Sequence, residues 1–374
     1  MRIAINTRFL LSHKMEGFGW YTYEIVKRIV QNHPEHEFVL FFDRTYDKKF
    51  VFAKNAIPVV LSPQARHPIL FRILFNFSVK RALKKYNADL FFSPDGYLSL
   101  TSEVKQIGVI HDLNFEHFPQ DLKPVMSRYY LKYFPKFARK AAHIITVSEH
   151  SKQDICSSYA IDPSKVSAIW NGASNVFEPL HESSKKEVRL EFSNGNPYFI
   201  FVGAIHPRKN VQRLIKAFEL FKTNNPSSNI QLLIVGTELW TNANVKVNIK
   251  EAIKNQIHFT GHLPLDTLAK VMGAATLFTY VPYFEGFGIP LVEAMKCGTP
   301  ILSGNLTSLP EVAGDAALYC DPMCVEDISL KLSTLANDSN LRDELSRKAL
   351  ERSTLFSWDR SAQKVWEVLE QHLK

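Results

Sequence analysis

The stretch "TLFTYVPYFEGFGIPLVEAMKCGTPILSG", residues 276–304, decides how this chain folds. Its two ends, "TLFTYV" and "TPILSG", are short and rich in β-branched, aromatic and aliphatic residues, which is typical of buried strands. Between them, Pro290 fits the first turn of a helix that ends near Cys297. A strand, a helix and a second strand of this size form the repeating unit of a doubly wound parallel sheet.

The same alternation of strand and helix runs through the rest of the chain. In the first half the expected strands are "RIAIN", "FVLFF", "LFFSP", "QIGVIHD", "HIITVS" and "VSAIW". In the second half they are "YFIFVG", "IQLLIVG" and "IHFTG", in addition to the two strands above. Amphipathic segments between them predict helices over 20–31, 70–86, 126–141, 210–223, 265–273, 290–297 and 325–335. The sequence therefore predicts an α/β protein with Rossmann-like sheets.

The length of 374 residues indicates two domains, because one hydrophobic core rarely serves so long a chain. Residues 179–197 are polar and charged and end in a proline, so we expect the linker there. This places the first domain at 1–178 and the second at 198–355. The tail, 356–374, carries apolar residues at helical spacing and has no strand after it.

The composition is that of a soluble globular protein, with 45% hydrophobic and 22% charged residues. The first residues, "MRIAINTRFLLSHK", carry charges and predict a buried strand rather than a signal peptide. No run approaches the ~20 apolar residues of a membrane-spanning helix, so we expect a cytoplasmic protein. Cys320 and Cys324 lack companions at metal-ligand spacing, so no metal site is expected.

The net charge of +8 lies entirely in the first half of the chain. Residues 1–178 hold 24 Lys and Arg against 16 Asp and Glu, whereas 179–374 hold 21 of each. Much of the excess lies in 66–86 and 128–140, where basic residues alternate with Phe and Tyr. Two interpretations stay open: helices with solvated basic faces, or a surface that rests on anionic lipid. No motif supports nucleic-acid binding.

Two stretches of the first half place reactive or permissive groups at strand ends. Gly17 and Gly19 precede a helix and let the backbone approach an anion, although Thr22 replaces the third glycine of a dinucleotide fingerprint. His111 and Asp112 directly follow a strand, where they can exchange a proton or bind a hydroxyl group. The alternative is that His111 only donates to a backbone carbonyl.

The second half offers two cations and two carboxylates. Arg208 and Lys209 follow a strand and lead into a helix, an arrangement that suits a diphosphate. Glu285 lies in the glycine-containing loop of 276–304, and Glu293 lies about one turn into the helix after it. Their separation suits the two ends of one extended ligand, such as a sugar at one end and a ribose at the other. An isolated pair of this kind could equally be two ordinary helix glutamates.

Together these stretches resemble the retaining nucleotide-sugar glycosyltransferases of family four. "EGFGIPLVEAMKCGTPIL" is similar to the family's Glu-x7-Glu signature, and "GAIHPRKNVQRLIKAF" to its Arg-Lys element. "HDLNFEHFPQ", "TVSEHSKQDI", "GFGWYTYEI" and "WNGASNVFEP" resemble its stretches in the first domain and at the hinge. The resemblance implies the GT-B fold, in which two Rossmann-like doubly wound domains face one another across a cleft.

The resemblance also implies a role for each donor-side residue. Arg208 and Lys209 would neutralise the donor diphosphate as it leaves. Glu285 would hold hydroxyl groups of the transferred sugar, and Glu293 would bind the nucleotide ribose. Backbone N–H groups near Glu285 would complete the donor site: Gly286, Phe287, Gly288 and Ile289.

On the acceptor side the resemblance implies roles for the first domain. His111 would approach the transferred sugar or the acceptor, and the loop with Gly17 and Gly19 would line the cleft. The helix at 356–374 would pack back on the first domain.

The reaction so implied is transfer of a hexose, with mannose from GDP-mannose as the favoured donor. The acceptor would be a glycan or a lipid-linked saccharide in cell-surface polysaccharide or O-antigen synthesis. The enzyme would then work in the cytoplasm, as a peripheral protein at the inner face of the cytoplasmic membrane. No Asp-x-Asp motif is present, so neither a metal nor another cofactor is expected. The alternatives are a nucleotide-sugar epimerase and an NAD-dependent oxidoreductase.

Overall fold

The computed structural model describes residues 1–12, 15, 17–237 and 249–373. The chain divides into two compact units. The first unit consists of Met1–Asn171 together with Ser357–Lys374, and the second consists of Gly172–Phe356. Each unit contains one wholly parallel sheet flanked by helices, which confirms the predicted fold class.

The sheet of the first unit has seven parallel strands in the order β3-β2-β1-β4-β5-β6-β7. These strands are β1 (Arg2–Asn6), β2 (Glu37–Phe42), β3 (Ala56–Val60), β4 (Leu90–Ser93), β5 (Lys105–Val109), β6 (His143–Thr146) and β7 (Val166–Ala168). Ile3 lies beside Phe38 of β2 on one side and Leu90 of β4 on the other. The chain order reverses between β1 and β4, so their carboxyl ends flank the switch point where ligands bind in such sheets.

In the described part of the first unit, six helices precede the last strand. They are α1 (Gly17–Asn32), α2 (Pro68–Ile73), α3 (Lys80–Lys85), α4 (Asn114–His117), α5 (Pro124–Lys140) and α6 (Glu149–Tyr159). A π-helical segment, Leu74–Val79, joins α2 to α3, so that 68–85 is one continuous helical element. The central strands are buried on both faces, as parallel strands covered by helices must be.

The sheet of the second unit has six parallel strands in the order β10-β9-β8-β11-β12-β13. They are β8 (Tyr198–Val202), β9 (Gln231–Val235), β10 (Ile257–Gly261), β11 (Leu277–Tyr280), β12 (Ile301–Gly304) and β13 (Leu318–Cys320). The described residues of this unit also form seven helices: α7 (Glu182–Ser193), α8 (Val211–Asn224), α9 (Leu265–Ala274), α10 (Ile289–Lys296), α11 (Leu309–Ala313), α12 (Val325–Asn337) and α13 (Ser339–Ser353). Here the switch point lies between β8 and β11.

The last helix, α14 (Trp358–Leu373), returns to the first unit and packs on α1. Trp366 stacks on the His33 ring with centroids 3.7 Å apart. Arg28 Nε donates to Asp359 Oδ1 at 2.5 Å. Helix α14 therefore supplies part of the core of a unit whose other residues lie more than 180 positions earlier in the chain.

The domain boundary differs from the one that we expected. Residues 179–197, predicted as a linker, contain α7, whose Arg189 Nε donates to the Ala274 carbonyl of the second unit at 2.9 Å. The boundary between the units falls between Asn171 and Gly172 instead. The polar sequence of α7 has a physical reason, because only Val188 and Ser193 of this helix are buried.

No helix in the described parts of the chain is long and apolar enough to cross a bilayer.

Candidate active site

The switch point of the second sheet brings the two predicted cations and a predicted carboxylate to one place. Arg208 and Lys209 lie in a 3₁₀ turn a few residues after β8. Glu285 lies in the loop after β11, the neighbouring strand. Because parallel neighbours end at the same edge of the sheet, residues 76 positions apart in sequence come into contact.

The cation turn is fixed by hydrogen bonds of its own. Pro207 occupies its first turn, and the His206 side chain accepts from the Arg208 N–H. Asn210 has φ +61° and ends the turn. Its side-chain amide donates to the Val281 carbonyl at 2.9 Å and to the Pro322 carbonyl at 2.6 Å. These bonds hold the turn against the end of β11.

Glu285 is the centre of a buried charge cluster. Its Oε2 accepts from Arg208 Nη1 at 3.0 Å, from Tyr280 Oη at 2.9 Å and from Lys209 Nζ. Lys209 Nζ also donates to Tyr280 Oη at 2.5 Å. The side chains of Lys209 and Glu285 are only 10% and 11% exposed. One carboxylate and two cations leave the cluster with a net charge of +1, which favours an anionic ligand.

The two oxygens of Glu285 have different surroundings. All three side-chain donors reach Oε2, whereas Oε1 accepts no hydrogen bond from any residue that the structure describes. The cluster thus fixes the orientation of the carboxylate through one oxygen and leaves the other able to accept from a ligand hydroxyl.

The Glu285 carboxyl group is ionised throughout the pH range around neutrality. Burial alone would raise its pKa, but the charges of Lys209 and Arg208 outweigh this effect and lower the pKa to about 2. The pKa of Tyr280 is raised, by burial and by the neighbouring Glu285 charge, so the phenol keeps its proton. Tyr280 therefore remains a hydrogen-bond donor to the carboxylate.

A second loop holds the backbone of Glu285 on both sides. The Glu285 N–H donates to Thr307 Oγ1 at 3.3 Å, and Ser308 Oγ donates to the Glu285 carbonyl at 2.9 Å. Thr307 has φ +58°, a conformation that costs energy for a β-branched residue. Nothing in the local sequence around Thr307, Ser308 or Tyr280 marks a contact with Glu285, so these three residues are not predictable from the sequence.

The glycine-containing loop leads directly into α10. Gly288 has φ +91° and is the N-cap residue of that helix, and Pro290 lies in its first turn as predicted. The Phe287 side chain is buried against the Phe356 ring, with centroids 5.8 Å apart. Any contact of Phe287 with a ligand must therefore use its backbone. Gly286 lies in the loop, and Ile289 is the first residue of α10.

Glu293 lies in α10, one turn after its start. Its carboxyl group forms no hydrogen bond or ion pair with the described residues of the chain. Burial raises its pKa to about 7. A partly buried carboxyl without a partner is unusual in a structure, and a ligand hydroxyl would satisfy it.

In the first unit, His111 follows β5 and is held by one hydrogen bond and two rings. Its Nε2 donates to the Pro94 carbonyl at 2.8 Å, so Nδ1 is the acceptor nitrogen of the neutral ring. The rings of Phe18 and Tyr21 contact it edge-on, each with centroids 4.7 Å away. Burial lowers the pKa of His111, which keeps the ring neutral near pH 7. The carbonyl bond that we considered as an alternative is present, and it leaves Nδ1 able to accept.

The predicted glycines are the first residues of α1 rather than a loop before it. A Cβ on Gly19 would lie 2.8 Å from the Phe9 carbonyl oxygen, so the close approach of two backbone segments requires glycine there. A Cβ on Gly17 would meet no atom within 4 Å. Only Gly17 thus has open space in front of it.

Two family descriptions match the chain and together cover most of it. "Glycosyltransferase Family 4" matches residues 15–174, and "Glycosyl transferases group 1" matches residues 182–352. The chain belongs to this glycosyltransferase family. The match at 182–352 includes the whole Arg208–Lys209–Glu285 cluster. This glycosyltransferase is a hexosyltransferase.

Curated relatives and solved structures agree with this assignment. The glycosyltransferase is 26% identical to O-antigen chain mannosyltransferase B of Escherichia coli over 93% of this chain and 94% of the relative. It is 26% identical to O-antigen chain mannosyltransferase RfbU of Salmonella typhimurium, over 81% of each protein. The crystal structure of HepE from Anabaena, in complex with UDP-glucose, matches with a TM-score of 0.77 and 18% identity. That match covers 99% of this chain and 100% of HepE, and it supports the GT-B fold.

The glycosyltransferase has a second buried charge pair that sequence analysis missed. At the switch point of the first sheet, Arg8 Nε donates to Asp95 Oδ2 at 2.5 Å, and both side chains are almost fully buried. Asn6 donates to the other oxygen, Asp95 Oδ1, at 2.8 Å. The Arg8 guanidinium also lies 4.2 Å from the centroid of the Tyr97 ring. Asp95 adjoins Pro94, whose carbonyl holds His111, so this pair fixes the surroundings of His111.

Within the described residues of the glycosyltransferase, no three His, Cys, Asp or Glu side chains are grouped as ligands for a metal ion.

Proposed function

We propose that this glycosyltransferase transfers mannose from GDP-mannose, with retention and without a metal, to a glycan or lipid-linked saccharide of a cell-surface polysaccharide. The Arg208–Lys209–Glu285 cluster at the switch point of the second sheet is the observation that carries the proposal. The names of the two O-antigen mannosyltransferases, which match most of the chain, support mannose and the acceptor class.

The reaction breaks the bond between the anomeric carbon and the diphosphate oxygen and forms one to an acceptor hydroxyl oxygen. The electron pair leaves with the diphosphate, and the acceptor proton is transferred to a phosphate oxygen on the same face of the sugar. Attack on the face that the phosphate leaves preserves the anomeric configuration. This route needs neither a protein nucleophile nor a redox cofactor.

Arg208 and Lys209 supply the charge that the leaving group needs. They are held in place before any ligand binds, so their interaction with developing phosphate charge costs little reorganisation. Removal of one such preorganised group raises a barrier by roughly 2.7–4 kcal/mol. Two fixed cations of this kind support the proposal that no divalent ion takes part.

Two carboxylates would orient the donor from its ends. Glu285 Oε1 is placed to accept from hydroxyl groups of the transferred sugar, while Oε2 stays bound to the cations. Glu293 would accept from the ribose hydroxyls, and this contact would give its carboxyl the partner that it lacks among the described residues.

Transfer assays with chelator test the proposal. The enzyme is incubated with a mannosylated acceptor and GDP-mannose, UDP-glucose or UDP-galactose, each with and without EDTA, and the product linkage is read by NMR. An α-linked mannoside formed equally in EDTA supports the proposal. A β-linked product would exclude retention, loss of turnover in EDTA would exclude metal independence, and use of a UDP-sugar alone would exclude the donor.

Thermal unfolding with GDP, UDP, ADP and NAD, without metal, tests the nucleotide separately. A ligand at ~100 times its dissociation constant adds about 2.7 kcal/mol to the free energy of unfolding. We expect the largest shift with GDP, and a smaller one in Glu293→Gln. A shift with NAD alone would favour the oxidoreductase alternative.

A further inference from the structure

One face of the helical element 68–85 carries three exposed apolar side chains in a row. Ile69, Ile73 and Phe77 are 59%, 39% and 61% exposed. A step of four residues turns slightly more than one turn in an α-helix, which has 3.6 residues per turn. In the π-helical segment Leu74–Val79 the hydrogen bonds span five residues, so the same step turns less. The step from Ile69 to Ile73 thus rotates slightly too far and the step from Ile73 to Phe77 rotates less. The two differences partly cancel, so Phe77 lies nearly in line with Ile69.

The helical element that carries this row and the neighbouring α5 are rich in basic residues and contain no acidic ones. Residues 66–86 contain six Lys and Arg and no Asp or Glu, and residues 124–140 of the neighbouring α5 contain five and none. All eleven are exposed, and none forms an ion pair within the described parts of the chain. They are Arg66, Arg72, Lys80, Arg81, Lys84, Lys85, Arg128, Lys132, Lys136, Arg139 and Lys140. The positive charge of these two segments is therefore not neutralised by ion pairs among the described residues.

The opposite face of the same helix is firmly packed. Phe71 and Phe75 are buried, and the Arg8 guanidinium lies 5.2 Å and 5.6 Å from their ring centroids. Phe71 also contacts the Tyr129 ring of α5, with centroids 5.4 Å apart. Ile69, Ile73 and Phe77 are exposed because no described residue covers their side of the helix, and not because the helix is loosely attached.

We propose that Ile69, Ile73 and Phe77, with the surrounding cations, form a surface that docks on an anionic phospholipid bilayer. The three apolar side chains would enter the boundary between headgroups and acyl chains, with the helix parallel to the membrane plane. Lys80, Arg81 and their neighbours would reach lipid phosphates, since long basic side chains extend along an apolar surface toward charge.

The exposed apolar row favours a bilayer over a soluble polyanion. Cations alone would serve a polyanionic glycan or a nucleic acid equally well, because both bind through charge. Three large apolar side chains in line gain nothing from such a ligand and lose contact with water in a membrane interface. A bilayer is the partner that uses both features of this surface.

The position of the surface gives it a use if the proposed function holds. The helix that would rest on the membrane packs its inner face on Arg8, beside Asp95 and the residues around His111. Docking would bring the carboxyl edge of the first sheet close to the lipid. A lipid-linked saccharide could then reach this edge without leaving the bilayer.

Vesicle sedimentation of the full chain tests the proposal without reference to activity. The vesicles contain phosphatidylcholine alone or with 30% phosphatidylglycerol (about one lipid in three), at low and at physiological salt. We expect binding to the anionic vesicles only, weakened by salt. The triple variant, in which Ile69, Ile73 and Phe77 are each changed to Gln, should bind at least tenfold more weakly. A separate cation variant, Lys80→Gln with Arg81→Gln and Lys84→Gln, should be weakened to the same extent.

The matched control is Leu190→Gln in α7, where an apolar side chain 70% exposed lies among charges of both signs. It should bind vesicles as the native chain does. A native chain that ignores anionic vesicles would overturn the proposal, as would a triple variant that binds like the native chain. Competition by heparin, with the triple variant unaffected, would point to a soluble polyanion instead.

A transfer assay on a water-soluble acceptor separates this proposal from the function proposed above. The triple variant should retain native turnover there, because its residues lie outside the charge cluster and the surroundings of His111. Absence of transfer by the native chain would overturn the proposed function and leave the vesicle result standing.

Discussion

At the scale of single residues, the three charges of the cluster do not contribute equally to stability. Glu285→Gln would remove the carboxylate that pairs with both Arg208 and Lys209, and breaking a buried pair in this way costs about 3–5 kcal/mol. Lys209→Met would leave Glu285 paired with Arg208, so the loss of stability should be smaller. Denaturant unfolding of the single variants measures both values.

The double variant distinguishes charge balance from simple loss of contacts. Glu285→Gln with Lys209→Met should be more stable than Glu285→Gln alone, because it also removes a buried cation that pairs with this carboxylate. Turnover should nevertheless fall roughly 10²–10³-fold or more in all three variants. Strictly additive losses of stability would contradict the assignment of Lys209 and Glu285 as a coupled pair.

Glu293 should make both stability and nucleotide affinity depend on pH. Its pKa is raised from 4.5 to about 7 in the folded protein, so between these values the folded chain holds a proton that the unfolded chain releases. Stability from this group is therefore complete below pH 4.5 and is lost as pH rises through 7. Relative to the native chain, Glu293→Gln should gain up to about 3 kcal/mol at pH 8 and almost nothing at pH 4.5.

The affinity for the nucleotide should change in the opposite direction. Only the ionised carboxylate accepts from both ribose hydroxyls, so GDP affinity of the native chain should rise between pH 6 and pH 8. In Glu293→Gln this rise should be absent. Calorimetric titrations at the two pH values provide the measurement, and an equal pH dependence in both proteins would assign the effect to another group.

Sequence position identified the charged residues of the second unit but not those of the first. Arg208, Lys209 and Glu285 stand in patterns that mark strand ends and a glycine-containing loop, and the structure brings them together. Arg8 and Asp95 lie 87 residues apart and become neighbours only because β1 and β4 are adjacent in the sheet. Strand order is not written in local sequence, so this pair could not be predicted. The roles proposed for all these residues stay predictions.

At the scale of elements, the strands that sequence missed are both at sheet edges. The central strands are continuous apolar runs, because helices cover both of their faces. β3 contains Pro58 and β13 has only three residues, and each forms the last strand of its sheet. An edge strand needs fewer apolar residues and tolerates proline, so β3 and β13 can lack the pattern that the edge strands β7 and β10 still show.

The start of α10 depends on the backbone of Gly288. Its φ of +91° is unfavourable for alanine, and a Cβ there would lie 3.3 Å from both Leu291 and Leu309 side chains. Gly288→Ala should lower the free energy of unfolding by roughly 1–3 kcal/mol and weaken nucleotide binding, since the loop and helix would shift. Unfolding and GDP titration measure the two effects.

Gly195→Ala is the matched control for this substitution. Gly195 also has a left-handed φ, +80°, but a Cβ there would meet no atom within 4 Å. It should show the backbone penalty alone and leave GDP affinity unchanged. Equal effects of the two variants on binding would mean that crowding around Gly288 is not what positions the loop.

At the scale of the whole molecule, the first unit is assembled from two distant parts of the chain. Asn171 ends one part, and α14 returns after the entire second unit. The apolar spacing of 356–374 predicted a helix, and the resemblance implied the surface on which it would pack. The boundary at 171 could not be predicted in the same way, because α7 is nearly as polar as a linker.

Trp366 should therefore matter to the first unit in particular. It is 3% exposed and stacks on His33, so Trp366→Ala removes a large buried side chain and should destabilise this unit by about 3–5 kcal/mol. Hydrogen exchange read by mass spectrometry should show faster exchange in α1, α14 and the first sheet, with the second unit unchanged.

The control is Trp20→Ala. Trp20 lies in α1, the helix that ends directly before His33, but its side chain is 36% exposed. Its effect on exchange should be confined to the first turns of α1. If Trp366→Ala instead accelerated exchange equally in both units, they would unfold together, and the division of the chain at 171 and 357 would not describe its cooperative units. Exchange confined to the first unit would mean that α14 stabilises that unit alone, and that the donor-side cluster around Glu285 is stabilised independently of it.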